Sequence, residues 1–69
     1  MLTEAVLKSF LRDMARGHVF DLTYALLADV FPPGKSDPGA IRKLQALAAS
    51  CDCDLADNAA EGRFELTRR

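Results

Sequence analysis

The chain has 69 residues, 49% of them hydrophobic and 28% charged, with nine Lys and Arg against ten Asp and Glu. That composition describes one small globular domain and excludes a disordered chain; no apolar run approaches the roughly 20 residues of a membrane span. The net charge of −1 also excludes the strongly basic balance from which most nucleic-acid binders draw their affinity for phosphate, so binding of that kind has to rest on a local cluster of cations.

In chain order, the first element is a helix from Thr3 to Arg16. Thr3 suits the N-cap, Glu4 the positive end of the helix dipole, and Arg12 and Arg16 its negative end. Val6, Leu7, Phe10, Leu11 and Met14 form a wide apolar stripe opposite Lys8, Ser9, Arg12 and Asp13. Gly17 offers a left-handed stop. Met1-Leu2-Thr3-Glu4 has neither the basic flank nor the apolar core of a secretory signal, and a cytoplasmic location is expected. His18-Val19-Phe20 then reads as a short strand or extended connector, with His18 an ordinary surface residue.

A second helix is expected over 21–31, with Asp21 as its N-cap. Leu22, Ala25, Leu26 and Val30 make one apolar face, and Tyr24, Leu27, Ala28 and Phe31 much of another. A helix apolar nearly all round is covered on more than one side. Tyr24, Leu27 and Phe31 are therefore candidates for either the core or a contact face toward a second copy or another protein. Pro32-Pro33-Gly34-Lys35 ends this helix in a tight turn.

The third helix, over 37–50, has the best-marked start: Asp37 at the N-cap and Pro38 at the first helical position. Ile41, Leu44, Ala48 and Cys51 recur on one face, leaving Arg42, Lys43, Gln45 and Ser50 outside it. The period then changes to two. Strands are expected at about 52–56 and 63–67, joined by a loop of about six residues containing Asp57, Asn58 and Gly62. Arg68 and Arg69 read as a frayed tail.

The inventory of reactive groups is small. Cys51 and Cys53 cannot build a disulfide framework, and a zinc site needs four ligands in a chain with His18 as its only histidine. Alternation sends these thiols and the carboxylates of Asp52 and Asp54 to opposite strand faces, so they cannot converge. No nucleophile–base pair or glycine-rich phosphate loop is present. No catalytic residue, metal site or cofactor is expected, and the cysteines are read as core residues.

Helix, short strand, two helices and a C-terminal hairpin form an α+β plan that resembles the winged helix-turn-helix family over about Thr3 to Thr67. The resemblance is one of element order and lengths, with the Asp21 and Asp37 caps and the closing strand Phe64-Glu65-Leu66-Thr67. It implies a small transcriptional regulator that binds double-stranded DNA with helix three in the major groove and the hairpin as a wing. Lys35, Arg42, Lys43 and Gln45 would be the contacting side chains, with Arg63 in the wing. Residues 35–45 carry three cations and one acid, a net +2, whereas residues 52–65 carry five acids and one cation, a net −4. An acidic hairpin repels phosphate. It motivates the alternative of a non-enzymatic protein-interaction module or inhibitor that uses the hairpin and the apolar surface of helix two.

Overall fold

The structure, a computed structural model, describes residues 2–69. Its elements are α1 (Glu4–Asp13), β1 (Val19–Thr23), α2 (Tyr24–Val30), α3 (Pro38–Ser50), β2 (Cys53–Asn58) and β3 (Arg63–Arg68). This is an α+β domain with the expected element order. The strands form one antiparallel sheet in the order β1-β3-β2, so the last strand of the chain is the central one.

Alternation decides which side of the sheet meets the helices. Phe20 pairs with Leu66 and Leu22 with Phe64 across β1 and β3, and Leu55 pairs with Leu66 across β2 and β3, so these apolar side chains share one face. Against it lie Leu7 and Leu11 of α1, Leu27 of α2 and Leu44, Leu47 and Ala48 of α3. Cys51 and Cys53 are buried free thiols in the same core. The opposite face carries Asp21, Asp54, Arg63 and Glu65, by the same alternation.

The helix starts follow from capping chemistry. The Thr3 hydroxyl accepts from the Val6 amide at 3.3 Å, and Asp37 Oδ1 accepts from the Gly39 amide at 3.2 Å. The second helix starts later than expected. Asp21 does not cap it, because Asp21, Leu22 and Thr23 pair with Glu65, Phe64 and Arg63 of the central strand. Thr23 is the N-cap instead, its hydroxyl accepting from the Leu26 amide. Strand pairing buries Leu22 completely, an outcome that a helical register had been expected to supply.

Three other boundaries move for tertiary reasons. Helix α1 ends at Asp13, not Arg16, because the chain turns to hand the Gly17 amide to the Arg68 carbonyl. The hairpin loop shortens to 59–62, since β2 runs on to Asn58. The C-terminal arginines are tied down. Arg68 belongs to β3, and the Arg69 amide donates to the Asp52 carbonyl. In the α2–α3 turn, Gly34 has φ +100°, and a Cβ there would stand 2.9 Å from the Ala28 Cβ. Only glycine lets the turn approach α2 so closely.

Candidate nucleic-acid interface

The apolar stripe of α3 determines what its other side presents. With Ala40, Leu44, Leu47 and Ala48 buried, Arg42, Lys43, Gln45, Ala46 and Ala49 face outward. Among the described residues, neither Arg42 nor Lys43 has a carboxylate within 4.0 Å; the ion pairs all lie elsewhere. Three of the five candidate contacts are therefore exposed on α3 and outside every ion pair among the described residues, with Lys43 on the flank toward α1 and Gln45 on the other side of Arg42.

The other two candidates are committed. Lys35 Nζ lies 3.6 Å from Asp57 Oδ2 and 4.6 Å from the centroid of the Tyr24 ring. The Tyr24 hydroxyl donates to Asp57 Oδ1. That hydrogen bond raises the Tyr24 pKa above its ordinary value, because ionising the phenol would set two anions together. Contact with the Tyr24 hydroxyl, helped by the Asp57 charge, likewise holds the Lys35 pKa above its usual range. Arg63, expected in the wing, lies on the sheet face away from the helices. Its Nε is 3.7 Å from Asp21 Oδ1 and its Nη2 is 3.5 Å from Glu65 Oε2. Two acids flank this single guanidinium, so the hairpin has no positive charge to offer there.

Tyr24, Leu27 and Phe31 do not stand exposed as one apolar surface. Leu27 is fully buried and Phe31 is 6% exposed, both within the core; Tyr24 is half-buried and packs its ring against Phe64 with centroids 5.4 Å apart. The apolar excess of the second helix is largely taken up inside the domain: Leu22 joins a strand, Leu27 and Phe31 enter the core, and Leu26 and Val30 pack half-buried against it. Exposed apolar surface occurs instead at Val6, Phe10 and Val19. Phe10 stacks on Phe20 at 6.1 Å beside the open edge of β1.

Lys8 has a place that the sequence did not suggest. An open groove of about 270 Å³ between α1 and α3 is lined by Glu4, Lys8, Lys43, Ala46, Leu47 and Ser50. It brings Lys8 and Glu4 of α1 to the same groove as Lys43 of α3. Sequence spacing places Glu4 and Lys8 one turn apart on α1, but nothing in it says that this flank meets Lys43. His18 is exposed in the connector before β1. Among the described residues, no three of the His, Cys, Asp and Glu side chains converge as metal ligands. Burial pushes the Cys53 thiol above its ordinary pKa, with the neighbouring Cys51 adding to the shift. Such a thiol stays protonated and is a poor nucleophile at neutral pH.

No known protein family matches the chain, and neither do any of the curated proteins or solved structures compared with it.

Proposed function

We propose that this chain is a winged-helix-type regulatory protein that binds double-stranded DNA through α3 alone. The observation that carries this reading is the exposed face of α3, on which Arg42, Lys43 and Gln45 stand with no acidic partner within 4.0 Å among the described residues. Arg and Lys can bond guanine O6 and N7, and Gln can bond adenine N6 and N7, in a groove wide enough to admit a helix. Ala46 and Ala49, further along the same face, add no bulk that would hold the helix away from the bases. The acidic hairpin takes no part in the contact, because Lys35 and Arg63 are held by its own carboxylates and by Asp21.

The test is a fluorescence-anisotropy titration with mixed-sequence duplex DNA at low salt. The wild-type chain should bind, and Arg42→Ala with Lys43→Ala should abolish binding while leaving the circular dichroism spectrum unchanged. Equal binding by the double variant would defeat the proposal. A second reading is favoured by one observation, the exposed Val6, Phe10 and Val19, with Phe10 stacked on Phe20 of the edge strand β1. It makes the chain a non-enzymatic interaction module for another protein. Absence of any DNA binding by the wild-type chain would favour it.

A further inference from the structure

We propose that Asp57 acts as an internal substitute for a nucleic-acid phosphate, masking Lys35 and so limiting the number of cations available beside α3. The inference rests on the DNA-binding reading of that helix. It begins from the way one carboxylate is shared among three separate elements. Tyr24 opens α2, Lys35 lies in the turn before α3, and Asp57 lies near the end of β2. The two oxygens of Asp57 have different tasks. Oδ1 accepts the Tyr24 hydroxyl, whereas Oδ2 stands 3.6 Å from Lys35 Nζ, an ion pair too long to be a hydrogen bond.

The mask is therefore separable from the anchor. If the ammonium leaves, the phenol–carboxylate hydrogen bond still ties the hairpin to α2. The side chains of Lys35 and Asp57 are 40% and 41% exposed, so a phosphate oxygen can reach and compete for the cation. The chain also places the cation usefully. Lys35 lies two residues before the Asp37 cap of the same helix that carries Arg42 and Lys43. Asp37 itself is no rival for the ammonium in the structure, because its Oδ1 accepts the Gly39 amide and it forms no ion pair among the described residues. Asp57, by contrast, offers the anionic oxygen that a DNA strand would otherwise supply.

The experiment uses the same duplex across a series of KCl concentrations, with the wild-type chain, Asp57→Asn, Lys35→Gln and the combined variant. Asparagine keeps an oxygen to accept the Tyr24 hydroxyl while removing the charge that holds Lys35. Asp57→Asn should tighten binding and steepen the dependence of log K on log salt by about 0.9, the contribution of one added phosphate contact. Lys35→Gln should remove that gain in the Asp57→Asn background and have a smaller effect in the wild-type background. Glu61→Gln, which deletes a hairpin charge outside every ion pair among the described residues, should leave the salt slope unchanged. Tyr24 is the only tyrosine and there is no tryptophan. An ultraviolet titration therefore reports directly on this cluster, and its transition should move down toward the ordinary tyrosine range in Asp57→Asn. Equal losses from Lys35→Gln in both backgrounds, or an unchanged salt slope in Asp57→Asn, would overturn the mask while leaving the DNA reading intact. No binding by any variant would overturn both.

Discussion

Arg68 shows how one side chain can close a small domain. Its Nη1 donates to the Leu11 carbonyl at 3.2 Å and to the Cys51 carbonyl at 2.7 Å. Leu11 is in the last turn of α1 and Cys51 caps α3, so one guanidinium satisfies carbonyls at the negative ends of two helix dipoles. Charge-assisted hydrogen bonds of this kind are stronger than neutral ones. Arg68→Met keeps the apolar stem and removes the donors; it should lower unfolding stability by about 2 kcal/mol, read from urea titration followed by circular dichroism. A loss within error would show that water replaces the guanidinium at both carbonyls. Gly34 acts at the same scale by absence. Its missing Cβ lets the α2–α3 turn lie against Ala28.

Among the elements, α2 is the one whose limits depend most on its surroundings. It has seven residues, Tyr24–Val30, too few to persist as an isolated helix. It survives because Leu27 and Phe31 enter the core and because Thr23 caps its start. Thr23→Ala should therefore cost about 1 kcal/mol of stability. Asp21→Ala should cost less, since Asp21 caps nothing and makes only a half-exposed pair with Arg63. Urea midpoints for the two variants check the ordering, and a larger loss for Asp21→Ala would contradict the cap assignment. Helix α3 behaves differently. Its cap, first-turn proline and apolar stripe are all local to its own residues, so it starts where its sequence says it should.

For the molecule as a whole, the distribution of charge matters more than its sum. Acids gather on the hairpin and the outer sheet face, where they neutralise Lys35, Arg63 and Arg69. The cations left uncommitted include Arg42 and Lys43 on α3. Protonation carries a further prediction. Tyr24, Lys35 and Cys53 all have pKa values raised in the folded chain, through the Asp57 hydrogen bond, the Tyr24 contact and burial respectively. A raised pKa means that the folded state holds its proton more tightly than the unfolded chain. Stability from these groups is complete below their ordinary values and is lost as pH rises through the folded ones. The urea midpoint should accordingly begin to fall above about pH 8.5, as Cys53 titrates, and go on falling above about pH 10, where Tyr24 and Lys35 follow; Cys53→Ala should flatten the first part of that fall. A midpoint that rises over this range would have the wrong sign.

The α+β class, the element order and the α3 start were all legible in the residues, because capping, helical stripes and strand alternation are properties of neighbours in the chain. The candidate face was legible in part. Arg42, Lys43 and Gln45 lie opposite a stripe that the sequence displays. Lys35 and Arg63 could not be placed in that way, since Asp57, which holds Lys35, and Asp21, which with the neighbouring Glu65 holds Arg63, are each more than twenty residues away in the chain. The same distance hid the strand pairing that moved the α2 cap from Asp21 to Thr23. It also hid the β3 position of Arg68 and the groove that brings Lys8 beside Lys43. By itself, then, the sequence determined the order of the elements and which side of α3 is apolar. Only the tertiary structure decided where the boundaries fall and which charges remain free, because strand register and ion pairing join residues remote in the chain.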